Sequence, residues 1–352
     1  VGGHDRRRRV IISQPAAGLE IGGKAVVGLH PLSFPRFKSA FSLNGIIQSS
    51  SMGKSKKKII HTIVFQNGPN GGNPCPVVLD GDDLTAEHGK HLAATFGAET
   101  IIILNPKDCD SDFGLRYFVP KYEMEMCVHG TIAATTLLKK MGRISKTPVK
   151  IETALGQITA GYKNEGDELR VTVFQFPPKF SDLNPRADEV CSVLRIPLTA
   201  IAKNQGPIVS VSTSRPKLII PIASSDILNG IEPDFEMLWK LCDQYETTGF
   251  YPFSKDAAGS SNVYSARQFP KRAGYNEDPA TGVAACALGA YLTRFNSCDS
   301  GWHYFNVHQG YAMGKPSILE VGSYLEKEYI TKTSVSGKAH VLSEESLTLQ
   351  TI

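Results

Sequence analysis

The stretch "YNEDPATGVAACALGAYL", Tyr275 to Leu292, sets two acids, a proline and a Thr-Gly turn directly before a run of small apolar residues. It reads as a strand end, a turn and a helix start, because Asp and Thr side chains accept hydrogen bonds from the unpaired amides of a first helical turn. A cap needs one acid, and Glu277 and Asp278 are two. A second stretch, "EMCVHGTIAATTL" from Glu125, lies over "EDPATGVAACALG" without a gap, placing Glu125 on Glu277, Gly130 on Gly282 and Ala133 on Ala285. Upstream, "LRYFVP" and "ARQFPK" pair Arg116 with Arg267 and Phe118 with Phe269. The shared order of strand, glycine turn and Ala-rich helix predicts a duplicated unit.

Length and composition agree with two domain-sized cores: 352 residues, 41% hydrophobic and 20% charged. Much of the formal net charge of +4 sits in "RRRR" (Arg6–Arg9) and "KSKKK" (Lys54–Lys58), which lack interleaved aromatics and read as solvated tail rather than a nucleic-acid face. Seven cysteines without a C-x-x-C pair argue against a disulfide framework and a zinc knuckle, and suit a reducing, cytoplasmic setting. No apolar run approaches the roughly 18–20 residues that cross a bilayer, so no membrane partner is expected. The Arg-rich, acid-poor first 51 residues read equally as an organelle transit peptide or as extraneous sequence ahead of Met52.

From Ile59 onward strand-like and helical patterns alternate. "IIHTIVF" and "CPVVLD" flank a Gly/Asn turn as a hairpin would, and "DDLTAEHGKHLAATFG" reads as a helix ending at Gly97. The Pro- and Asp-containing "PPKFSDLNPRADEV" is the expected boundary between halves. The resulting division is a leader over 1–57, a first half over 58–180, a connection over 181–207, a second half over 208–326 and a tail over 327–352.

Two helix starts brought to one cleft would present unpaired amides and two positive dipole ends to an anion, most simply a carboxylate. Gly130 and Gly282 would let that ligand approach the backbone. His129 at one start and Asp278 at the other make the duplicated scaffold chemically asymmetric, as acid/base work requires. A histidine that merely caps a helix is the plain alternative. Glu99, before the apolar run "TIIIL", is a carboxylate that burial could tune for proton transfer, or simply a solvated strand-edge residue. His88 and His91 share a helix face without completing a metal set, and no metal is expected. No G-x-G-x-x-G, Walker or G-x-S-x-G pattern supports nucleotide or serine-hydrolase chemistry.

The segments "GGNPCPVVLDGDDL", "AATFGAETIIIL", "LRYFVPKYEMEMCVHGTIAATTLL", "NEDPATGVAACAL" and "HQGYAMGKPSILEV" together resemble the PhzF-like (phenazine biosynthesis-like) family, over about Ile59 to Val321. The resemblance implies an α+β fold of the diaminopimelate-epimerase type, two pseudo-symmetric halves each with a curled sheet around a central helix, and an active site between them. It implies cofactor-free isomerase chemistry on a small carboxylate-bearing metabolite, often in a homodimer. By position Glu99 matches the family's proton-carrying glutamate, while His129 and Asp278 match its His and Asp. Asn73, Gly130, Thr131, Gly282 and Val283 are the expected substrate-binding residues. Val128, Gly130 and Val283 depart from the family's usual Gly, Ala and Ser. Cys127 aligns with Pro279, which argues against a two-thiol racemisation and leaves Cys127 as a small buried residue. A non-catalytic interaction module, or a lyase or cyclisation enzyme using the same proton transfer, are the competing readings.

Overall fold

The computed structural model describes residues 54–255, 262–296 and 299–350; the Arg run, Met52 and Cys298 lie outside them. The first half runs through β1 (Lys54–Val64), β2 (Asn73–Val78), α1 (Ala86–Phe96), β3 (Thr100–Leu104), β4 (Phe113–Phe118) and β5 (Glu123–Met124). It continues with α2 (Val128–Lys140), β6 (Val149–Thr153), β7 (Gly156–Glu165) and β8 (Glu168–Gln175). The expected hairpin is β1 against β2. Most neighbours are antiparallel, but β2 lies parallel to β3 with α1 crossing between, and β4 parallel to β6 with α2 between.

The second half contains β9 (Lys179–Phe180), α3 (Ala187–Leu194), β10 (Val209–Ser212), β11 (Pro216–Pro221), α4 (Ser225–Asn229) and α5 (Phe235–Gln244). After it come β12 (Gly249–Lys255), β13 (Val263–Ala266), β14 (Phe269–Pro270), α6 (Gly282–Phe295), β15 (Gly301–Gln309), β16 (Ser317–Glu326) and β17 (Tyr329–Gln350). Here β11 lies parallel to β12 around α4 and α5, and β13 parallel to β15 around α6. Parallel neighbours need a crossover element, and the same two crossovers recur in the same order. The duplication read from sequence is therefore a duplication of topology.

Helices α2 and α6 lie together at the centre of one apolar core. Every residue from Val128 to Leu138 and from Gly282 to Thr293 is buried, so neither helix can be amphipathic, and small side chains let the sheets wrap closely. A Cβ on Gly130 would lie 2.2 Å from Ile101 Cδ1, and one on Gly282 2.5 Å from Val128 Cβ. Packing therefore requires both positions to be glycine, whatever part they play toward a ligand. Outside this core, α1 covers β2 and β3 through Leu92 and Ala93, while α3 and α5 cover β11 and β12 through Val190, Leu194 and Leu238. The segment expected to be a bare connection thus contributes α3 to a packed layer.

Both expected termini are corrected. Residues 54–57 open β1, where side chains alternate across the strand: Lys56 is exposed, whereas Lys57 is buried, donates to the Asp80 carbonyl at 2.7 Å and pairs with Asp83. The expected tail is the long strand β17, which pairs with β16, then β8, then β1 and so links the strands of the two halves within one 17-stranded sheet. Its polarity concealed it, since Val335 and Ala339 are its chief apolar residues in the core.

The Arg alignment is physical. Arg116 forks onto Glu123 through two 2.7 Å bonds and lies 4.9 Å over Phe118; Arg267 forks onto Glu277 through two 2.8 Å bonds and lies 4.8 Å over Phe269. Glu277 is thus a structural acid, and its counterpart is Glu123 rather than Glu125, which instead reaches Arg215 at 3.3 Å. The intervening turns differ in length, Glu123 lying 7 positions after Arg116 and Glu277 10 positions after Arg267. Of the two acids in "YNEDPATG", only Asp278 remains for chemistry.

Candidate active site

Glu99, at the start of β3, His129, in the first turn of α2, and Asp278, before α6, line one cleft together with Tyr275, Arg215, Lys217 and Gln268. Counted out to its mouth the cleft encloses about 510 Å³, of which about 40 Å³ admits the centre of a water-sized sphere. At ~10–15 Å³ per water on that measure, the inner space holds only about three waters, so it suits a small ligand.

Glu99 is held by neutral donors. Tyr275 Oη donates to its Oε1 at 2.6 Å, and Cys127 Sγ to its Oε2 at 3.0 Å. Burial, reinforced by the Glu99 charge, pushes the Tyr275 hydroxyl and the Cys127 thiol well above their ordinary pKa values, so both keep the protons they direct at the carboxylate. His129 Nε2 stands 3.5 Å from Oε2. Burial lowers the pKa of His129, with Glu99 pulling the other way, which favours the neutral imidazole near pH 7.

Cys127 is more than filler. It is the N-cap of α2: its Sγ accepts from the Gly130 N–H at 3.3 Å while its proton goes to Glu99. Glu99, Cys127 and His129 are a group whose ligand atoms lie within 4.8 Å of one another, a set able to hold a soft divalent cation. His88 and His91, set aside as a metal pair from the sequence, belong to no such group among the described residues, and His88 completes the capping box of α1 with Thr85.

Asp278 is held from three directions. Asn73 Nδ2 donates to its Oδ1 at 2.7 Å, Thr281 Oγ1 donates to its Oδ2, and Gln309 Nε2 donates to its backbone carbonyl at 2.7 Å. Burial first, then the Glu99 charge, raise its pKa to about 7. Asn73 therefore positions Asp278 and does not line the cleft, a correction to its expected binding role. Gln309 lies in "HQGYAMG", and its role emerges only from the tertiary contact.

The helix starts also differ from expectation. The Gly130 amide is taken by Cys127 Sγ and the Thr131 amide by the Cys127 carbonyl at 3.0 Å, so neither is available to a ligand. The first-turn amides without an intrahelical acceptor include those of Val128 and His129 on α2, and of Gly282 and Val283 on α6, where the first amide bonded back is that of Ala285, to the Thr281 carbonyl. All four residues line the cleft. Arg215 and Lys217, beside and on β11, add positive charge that sequence reasoning missed, because nothing local in "STSRPKLIIPI" places it opposite Glu99. Burial and the adjacent Arg215 lower the Lys217 pKa to about 7.

The model of the phenazine biosynthesis-like protein family matches residues 63–345. An uncharacterized isomerase of Clostridium acetobutylicum is 30% identical over 283 residues, covering 79% of this chain and 93% of that protein. The uncharacterized isomerase YfhB of Bacillus subtilis is 27% identical, covering 79% and 96%. Among solved structures, a Bacillus anthracis phenazine biosynthesis protein of the PhzF family superposes with a TM-score of 0.75 at 26% identity, covering 84% of this chain and all of that one. A hydroxyproline epimerase of Agrobacterium vitis, solved with bound trans-4-OH-L-proline, shares the fold at a TM-score of 0.58 and 14% identity, covering 84% and 93%. Fold and relatives define an enzyme of the isomerase class, built on the diaminopimelate-epimerase scaffold expected from the sequence. Within that class, the chain belongs to the phenazine biosynthesis-like (PhzF) family.

Proposed function

We propose that the protein moves a proton between two carbons of a small carboxylate-bearing metabolite, with Glu99 as the carrier and without a cofactor. The observation that carries this reading is the Glu99 carboxylate, lining the cleft and held by Tyr275 and Cys127. Glu99 takes a proton from a saturated carbon next to a C=C bond that is conjugated with the substrate carboxylate; the C–H electrons become a new C=C bond, the existing one shifts toward the carboxylate, and the charge collects on the carboxylate oxygens. The free amides of Val128, His129, Gly282 and Val283 are placed to stabilise that charge. Glu99 then returns the proton to a different carbon on the same face, leaving an isomer. His129 and Asp278 orient or assist; an acid with a pKa near 7 can donate as well as accept a hydrogen bond.

Incubating the protein in deuterium oxide with candidate acids and following exchange by NMR tests this directly. Wild type should exchange one carbon-bound hydrogen, and Glu99→Gln should lose about 10²–10⁴-fold in rate while retaining ligand-induced thermal stabilisation. Full exchange by Glu99→Gln rejects Glu99 as the carrier, and no exchange by wild type favours a binding module.

A further inference from the structure

The acids and cations of the cleft are not spent on one another. Both oxygens of Glu99 and both of Asp278 accept from the neutral donors Tyr275, Cys127, Asn73 and Thr281. Arg215 pairs with Glu125. Lys217 is 5% exposed and lines the cleft, and among the described residues no acceptor or carboxylate bonds its Nζ. Gln268 is 1% exposed, lines the same cleft, and has neither amide atom hydrogen-bonded. Its place is built: a Cβ on Gly249 would stand 2.5 Å from Gln268 Nε2, and the Gln268 carbonyl accepts from the Asp278 amide at 3.2 Å. A buried amide without partners opposes folding, as does keeping a proton on the enclosed Lys217 amine, which an anionic ligand group would favour; apolar side chains of like volume would fill the space at no such cost.

We propose that Lys217 and Gln268 form a second polar subsite, and that the substrate is a small acid carrying, besides the carboxylate at the helix starts, a second anionic group flanked by an O–H or N–H. The ammonium takes an anionic oxygen, the amide nitrogen donates to the same group, and the amide oxygen accepts the neighbouring hydrogen. The narrow inner part of the cleft suits a compact diacid. This extends the isomerase reading in its first carboxylate only; the subsite stands or falls separately.

Titration calorimetry with matched probes decides it: malate against 2-hydroxybutyrate, aspartate against 2-aminobutyrate, and succinate against butyrate, each pair exchanging one carboxylate for a methyl group. At least one diacid should bind about tenfold or more tighter than its partner, and malate or aspartate tighter than succinate. Lys217→Met should abolish the diacid preference and raise the melting temperature of the ligand-free protein; Gln268→Leu should abolish the advantage over succinate. No diacid preference in wild type, an unchanged preference in Lys217→Met, or a lowered melting temperature marking Lys217 as structural would overturn the proposal. Glu99→Gln should keep the preference while losing deuterium exchange, so the two readings fail separately.

Discussion

Tyr275 donates a 2.6 Å hydrogen bond to Glu99, from the second half to the first, and Asn73 donates one of 2.7 Å to Asp278 in the opposite direction. Each half therefore positions the other's acid. The alignment of the halves and the geometry of the site are one structural variable, which is why a site assembled from residues 205 positions apart can be rigid.

Tyr275→Phe keeps the ring and removes the donor. It should slow deuterium exchange about tenfold and destabilise by about 1.5–3 kcal/mol, the scale of a hydrogen bond to a charged group. Urea unfolding and exchange rates measure the two effects, and unchanged exchange would detach Tyr275 from the chemistry.

Asp278 ionises near pH 7 when folded and near 3.9 when unfolded. Between about pH 4 and 7 the folded state holds the extra proton, so this group's stabilisation is complete below pH 4 and declines as pH rises toward 7. Asp278→Asn should flatten that slope, and Glu99→Gln should shrink it by removing a charge that raises the Asp278 pKa. Lys217 acts in the other window: lowered to about 7 from an unfolded value of about 10.4, it binds fewer protons folded, so stability rises with pH from about 7 to 10. Lys217→Met should remove that rise. Chemical unfolding across pH 4–10 measures all four proteins.

The two Arg–Glu forks differ in burial: Arg267 and Glu277 are 10% and 15% exposed, Arg116 and Glu123 25% and 33%. Arg267 also bonds the carbonyls of Leu228, Asn229 and Ile231, whereas Arg116 bonds that of Leu84. Arg267→Ala should cost about 3–5 kcal/mol by stranding a buried carboxylate, and Arg116→Ala about 1–2 kcal/mol. Equal losses would contradict the burial argument.

Cys127→Ala removes the α2 cap and should cost about 1 kcal/mol, with Cys127→Ser recovering most of it. Cys109 is exposed and Cys127 is buried with its thiol pushed up. Mass-mapped alkylation of the native protein should label Cys109 first; rapid labelling of Cys127 would mean that the cleft opens widely.

The duplicated crossover was legible because each copy carries strand, turn and Ala-rich helix within a few dozen residues, and Arg116/Phe118 and Arg267/Phe269 survive in both. Glu99, His129 and Asp278 gained their reading from resemblance, since a carboxylate before a strand or a histidine at a helix start has ordinary alternatives. The residues that complete the cleft were not legible: Tyr275, Lys217 and Gln268 act on groups more than a hundred positions away or not contiguous in chain. Which glycine clears space and which amide stays free depended on Ile101, Val128 and Cys127, known only from packing. The strand β17 was missed because its pairing uses backbone, and a run of Ser, Thr, Lys and Glu does not announce burial.

That last strand carries a consequence for biosynthesis. Residues 339–350 complete the first half by lying against β1, so an emerging chain leaves β1 with one flank unzipped until nearly all of the described sequence has been synthesised. Domains made from contiguous sequence can fold while still on the ribosome; this one closes its earliest sheet last, and a stop codon ahead of Ala339 should yield aggregation-prone protein rather than a shortened enzyme.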